Sequence, residues 1–150
     1  MLVRRAFLAL STLWAASIPL ATFVASRPDS SSVAYGFALS VYAIGHVVCH
    51  QLPARSFHLW TTSLPICARC TGIYAGAAAT AIVLALMPRA SVDARNARVD
   101  PKRVLLFALV PTALTLVFEW TTGVMPPHWV RAFAGVPLGA AVAWAIGMVN

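Results

Sequence analysis

Charge is scarce in this chain. Charged residues make up 10% of its 150 residues and hydrophobic residues 60%, whereas a soluble domain carries about a quarter charged residues. That shortage excludes an ordinary soluble domain. Several long uncharged runs argue for a membrane protein instead. Acidic residues are scarcer still, four against eleven Lys and Arg, for a formal charge of +7. In a soluble chain that excess would suggest nucleic acid. Here the basic residues concentrate in loops between apolar runs, which is the positive-inside bias of a membrane protein, and no nucleic-acid partner is expected. Cysteine is also sparse: three residues, all between positions 49 and 70. A disulfide framework would be even in number and spread along the chain. The clustering favours a ligand set or a CxxC redox pair.

The length allows one domain, residues 1–150. Arg4 and Arg5 precede an uncharged run over 6–25. A signal peptide with a weak cleavage site at Val24-Ala25-Ser26 is one reading. An uncleaved first transmembrane helix is the other, and the run's length favours it. Residues 27–32 form a polar turn. The run 33–48 is helical in character but marginal as a span, so it crosses, re-enters or lies along the interface. Residues 51–65 read as a loop with two prolines and the interfacial aromatics Phe57 and Trp60. Further spans are expected at 70–87, 104–124 and 132–149, with a basic loop at 89–103. Gly72, Gly76 and Thr80 form one small-residue stripe and Gly135 and Gly139 another, and the two are expected to pack on each other.

Topology follows from charge counting. If 33–48 does not cross, four spans put Arg4, Arg5 and five basic residues of the 89–103 loop on one side, against Arg27, Arg55, Arg69 and Arg131 on the other. Both termini then lie in the cytoplasm and the cysteines outside. If 33–48 crosses, five spans result and the split falls to five against six. The stronger bias belongs to the first arrangement.

The chemistry concentrates in His46–Tyr74. Cys67-Ala-Arg-Cys70 sits at the start of the clearest span, where free N–H groups and the helix dipole stabilise a thiolate and Arg69 adds positive charge. Cys49 and His50 stand where the preceding helix must end before Pro53. Together Cys49, His50, Cys67 and Cys70 supply a Cys3His set suited to a divalent metal, zinc by donor type. The bland alternative is that Cys49 and His50 are packed helix-end residues. Arg55 and Ser56, beside helix N-terminal amides, make an anion pocket or merely an interfacial arginine. Glu119 is the one acidic residue inside an apolar run. It is expected near the cysteine face, paired with Arg131 or Arg69, as a general base or as a ligand. Glu119, Arg69 and Arg55 are therefore the candidate catalytic residues. His58 and His128 read as solvated loop histidines.

The segments Cys49-His50-Gln51-Leu52-Pro53-Ala54-Arg55-Ser56-Phe57 and Pro65-Ile66-Cys67-Ala68-Arg69-Cys70-Thr71-Gly72-Ile73-Tyr74-Ala75-Gly76 resemble two boxes of a small bacterial and archaeal membrane-protein family, domain of unknown function 2085. A third element maps more loosely. Glu119-Trp120-Thr121 stands where an Asp-Gly pair is usual, and Arg131, Gly135 and Gly139 stand for an arginine–glycine element in which Ala134 replaces Thr. The resemblance implies a multi-helix membrane protein whose polar boxes face each other, and it carries no activity.

The expectation is an all-α integral membrane helical bundle of four to five spans in the cytoplasmic (inner) membrane, with a Cys/His loop site at one face on the extracytoplasmic side. The function expected is a metalloprotein acting on an anionic or lipid-derived substrate. Thiol–disulfide exchange, and metal transport or a structural metal site, are the alternatives.

Overall fold

The computed structural model describes residues 2–87 and 99–148. Most of the expected basic loop, 89–98, lies outside the described residues. Helix α1 (Leu2–Ala25) is followed by α2 (Ser32–Val48), α3 (Ala68–Leu86), α4 (Pro101–Thr122) and α5 (His128–Met148). The fold is an all-α bundle, and among the described residues α1, α3, α4 and α5 are long and apolar enough to cross a membrane. Leu13, Leu39, Phe107, Leu114 and Trp120 are exposed on its outer surface, as suits helices solvated by lipid.

Helix starts and stops follow local chemistry. Asp100 caps α4 by accepting the Lys102 N–H at 3.0 Å, with Pro101 in the first turn. Proline fits there because its missing N–H would be unpaired anyway. The cap starts α4 three residues before the hydropathy-based boundary at 104. Gly123 ends the helix at φ 68, its N–H on the Glu119 carbonyl. That left-handed position suits glycine at low cost.

Packing fixes which ends lie together. Leu8 of α1 packs with Ala81 and Leu84 of α3, whereas Ile18 packs with Leu64 and Ile66 just before α3. Helices α1 and α3 are therefore antiparallel. The most extensive contact joins α3 and α5, which run parallel with their glycine stripes interlocked. A Cβ on Gly72 or Gly76 would overlap the Ala132 or Val136 carbonyl, and one on Gly135 or Gly139 the Arg69 or Ile73 carbonyl. Small residues let two backbones approach this closely without any hydrophobic drive between helices in lipid. Helix α4 returns antiparallel to α5, and the Thr112 hydroxyl donates to the Ala134 carbonyl at 2.8 Å.

One end of the bundle thus gathers the end of α1, the starts of α3 and α5 and the end of α4. Helix α2 belongs wholly to that end. It leaves α1 through a short turn, packs Ala38 and Val41 on Ala21, and finishes with Cys49 against the cluster around Ile18 and Ile66.

The 51–65 loop holds more structure than its sequence suggests. A 3-10 turn spans Pro53–Arg55, and β1 (His58–Leu59) pairs antiparallel with β2 (Thr62–Ser63). The hairpin turn places Trp60 at φ 49 and Thr61 at φ 69. Such turns normally carry Asn-Gly or a similar pair, so the sequence gives no signal for it.

Candidate metal centre and its arginines

Cys49 is the C-cap of α2 and Cys67 the N-cap of α3, one turn before Cys70. The Cys67 N–H donates to Cys49 Sγ at 3.2 Å. The three Sγ atoms all lie within 4.8 Å of one another. Tetrahedral zinc thiolate bonds of about 2.3 Å put neighbouring sulfurs roughly 3.8 Å apart, so a small contraction around one ion completes the tripod.

Several residues lock this geometry. Gln51 adopts φ 48, and its Nε2 donates to the Tyr42 and Pro65 carbonyls, both at 2.7 Å. The Tyr42 hydroxyl donates to the Ser63 carbonyl at 2.6 Å. These bonds stitch the end of α2 to the strand that enters α3, and Ile66 is fully buried between them. Gln51 and Tyr42 are positioning residues that sequence reasoning missed; the only signal was Gln51's place directly after Cys49-His50. Ser56 does not join an anion pocket as expected. It is fully buried, and its hydroxyl donates to the Leu52 carbonyl, which leaves no donor for a ligand.

A hydrogen bond from the Cys70 thiol pulls the Cys67 thiol down from 9.0 to about 5, and the Arg131 charge helps, against the opposing effect of burial. That shift favours the thiolate at Cys67, the form that binds metal or attacks a disulfide.

The cysteines open onto a cavity of about 290 Å³, which His50, Arg55, Arg69 and Arg131 also line. His50 is exposed and stands outside the group of three close sulfurs. Glu119 is buried at 7% exposure and is not on the cavity wall. It pairs with Arg55 Nη2 at 2.6 Å and Arg69 Nη2 at 3.6 Å. Arg69 Nη2 also donates to Thr115 Oγ1 at 3.3 Å. Arg131 is 1% exposed, and its Nη1 reaches the Arg55 carbonyl at 3.4 Å and Met125 Sδ at 3.5 Å. The expected pairing of Glu119 with Arg69 is present, and Arg55 is a second partner. His46 is exposed on α2 and His58 exposed on β1, while the His128 ring rests on Phe57.

The fold and this cavity define a class: an all-α membrane bundle with three convergent cysteines at one end, faced by arginines. The chain belongs to the family domain of unknown function 2085, described as a predicted membrane protein, whose profile matches residues 49–145. An uncharacterised protein of Methanocaldococcus jannaschii is 31% identical over 98 residues, covering 65% of this chain. The match spans 60% of that relative's own length. No solved structure matches. The matched region contains every cysteine and arginine of the cavity, and α1 and α2 precede it.

Proposed function

We propose that this protein is a four-crossing membrane metalloprotein that holds one divalent ion, zinc by donor chemistry, on Cys49, Cys67 and Cys70. The observation that supports it is the convergence of three Sγ atoms within 4.8 Å from two separate helix ends. Three protein thiolates leave the fourth tetrahedral position open, as in catalytic rather than structural zinc sites. His50, on the same cavity wall, is an exchangeable fourth ligand. An ion with an open position supplies Lewis acidity, and Arg55 and Arg69 beside it suit an anionic or lipid-derived substrate. Glu119 holds those arginines in place. The cavity opens on the extracytoplasmic side of the cytoplasmic membrane in this reading, because in the sequence seven basic residues fall near the start of α1 or from the end of α3 through the first turn of α4, against four elsewhere. Three of those four are the cavity's own arginines.

Metal analysis of the purified protein tests the reading. One ion per chain is expected in the wild type and in His50→Ala, with weaker affinity in the latter, and none in Cys67→Ser. A folded wild type without metal, or full retention in Cys67→Ser, overturns it. The second reading, thiol–disulfide exchange, is supported by the Cys67 thiolate standing beside two further thiols.

A further inference from the structure

We propose that Arg55, Arg69 and Arg131 form a binding site for a tetrahedral phosphate group, inorganic or carried on a phosphate ester, in the cavity that the cysteines share. The proposal deepens the reading above and takes from it that this cavity is the working one.

Unspent hydrogen-bond donors come first. Arg131 is 1% exposed and lines the cavity, yet its Nε has no partner among the described residues, and neither does that of Arg69. Of the two contacts that Arg131 Nη1 makes, the one to the Arg55 carbonyl, at 3.4 Å, is long, and the other goes to the Met125 thioether, a weak acceptor. A guanidinium has five donors, and buried donors in a native protein are normally satisfied.

Charge points the same way. Three arginines face a single carboxylate, and Glu119 stands off the cavity wall, between Arg55 and Arg69. With three thiolates on a divalent ion, the formal sum is +3 (arginines) − 1 (Glu119) − 1 (ion and thiolates), or +1. Net charge in a low-dielectric membrane protein is costly unless it is compensated, and an anion in the cavity compensates it.

Geometry selects the class of anion. A planar carboxylate is satisfied by one guanidinium fork. Here three arginines arrive from three elements: the 3-10 turn, α3 and α5. That arrangement suits a group with oxygens at tetrahedral corners. The cavity, about 290 Å³, lies at the small end of ligand sites, which run from roughly 300 to 1,000 Å³. It has room for a phosphate and a short substituent. Exposed Trp60 and Trp129 at this end mark the level of lipid headgroups, where such aromatics collect. A headgroup phosphate and a free one therefore both have access.

The test uses the full chain in nanodiscs of zwitterionic lipid, titrated with inorganic phosphate in one arm and dioctanoyl phosphatidic acid in the other. Saturable binding is expected, weakened at least about tenfold in Arg131→Gln and Arg69→Gln, as charge-assisted bonds are lost, and unchanged in Arg103→Gln at the far end. Binding in the first arm identifies free phosphate as the source, and binding in the second alone identifies a lipid headgroup. Should the buried variants fail to fold, Arg55→Gln at the half-exposed position carries the test. No saturable binding in either arm, or binding that survives in every folded arginine variant, overturns the site. A metal-free wild type that still binds phosphate refutes the metal centre and leaves this site standing. A metal-loaded protein that binds none refutes this site alone.

Discussion

Cys67 carries the most specific chemistry in the chain. Its depressed value of about 5 gives a directional prediction for chelator-stripped protein. The thiolate is the reactive form, so Cys67 alkylation stays on its plateau from pH 9 down to about pH 6. It is lost as pH falls through 5, rather than through the usual 9.0. Measured rates that halve near pH 8 or 9 contradict the proposed hydrogen bond from Cys70. The residues themselves were readable in advance: thiols at a helix start, a Cys-His pair before proline, an acid inside an apolar run. What joins them was legible only in part. The pairing of Glu119 with Arg69 was expected from where the helices begin and end, but the bridge that Gln51 makes between the carbonyls of Tyr42 and Pro65 and the pairing of Glu119 with Arg55, 64 positions away, were not. No local periodicity encodes pairs so distant along the chain.

Helix α3 matters most among the elements, because it both presents Cys67 and Cys70 and interlocks with α5. A Cβ on Gly139 would come within 1.8 Å of the Ile73 carbonyl oxygen. That overlap is backbone against side chain, and no rotamer change relieves it. Gly139→Ala should therefore destabilise the bundle by about 1–3 kcal/mol in detergent unfolding. Gly36→Ala in α2, with nothing within 4 Å of the new Cβ, should be neutral or stabilise by up to about 1 kcal/mol. Equal effects would mean that the two stripes do not bear on each other. The long helices were legible because hydropathy and length suffice in lipid, to within a few residues at their ends. The β1–β2 hairpin was hidden, because positive φ at Trp60 and Thr61 contradicts the local preference of those residues.

For the whole molecule, the open question in the sequence was whether α2 crosses. A helix of 17 residues is borderline by length alone. Ala38 and Val41 pack on Ala21 and Cys49 packs beside Ile18 and Ile66, contacts that support the proposed arrangement in which α2 does not cross. In that arrangement Asp29, in the turn before α2, and Asp100, at the start of α4, lie on opposite sides of the membrane. An impermeant maleimide on intact cells should label Asp29→Cys and should reach Asp100→Cys only after permeabilisation. Labelling of both from the same side would show that α2 crosses, and the reverse pattern would invert the proposed orientation.

The cavity's chemistry turns on whether the three cysteines hold an ion. X-ray absorption at the metal edge of the purified full-length protein measures this directly. Three sulfur neighbours at about 2.3 Å and one lighter nitrogen or oxygen neighbour are expected for zinc on Cys49, Cys67 and Cys70 with an exchangeable fourth position. A shell of nitrogen and oxygen alone, or folded protein that carries no metal, would contradict it.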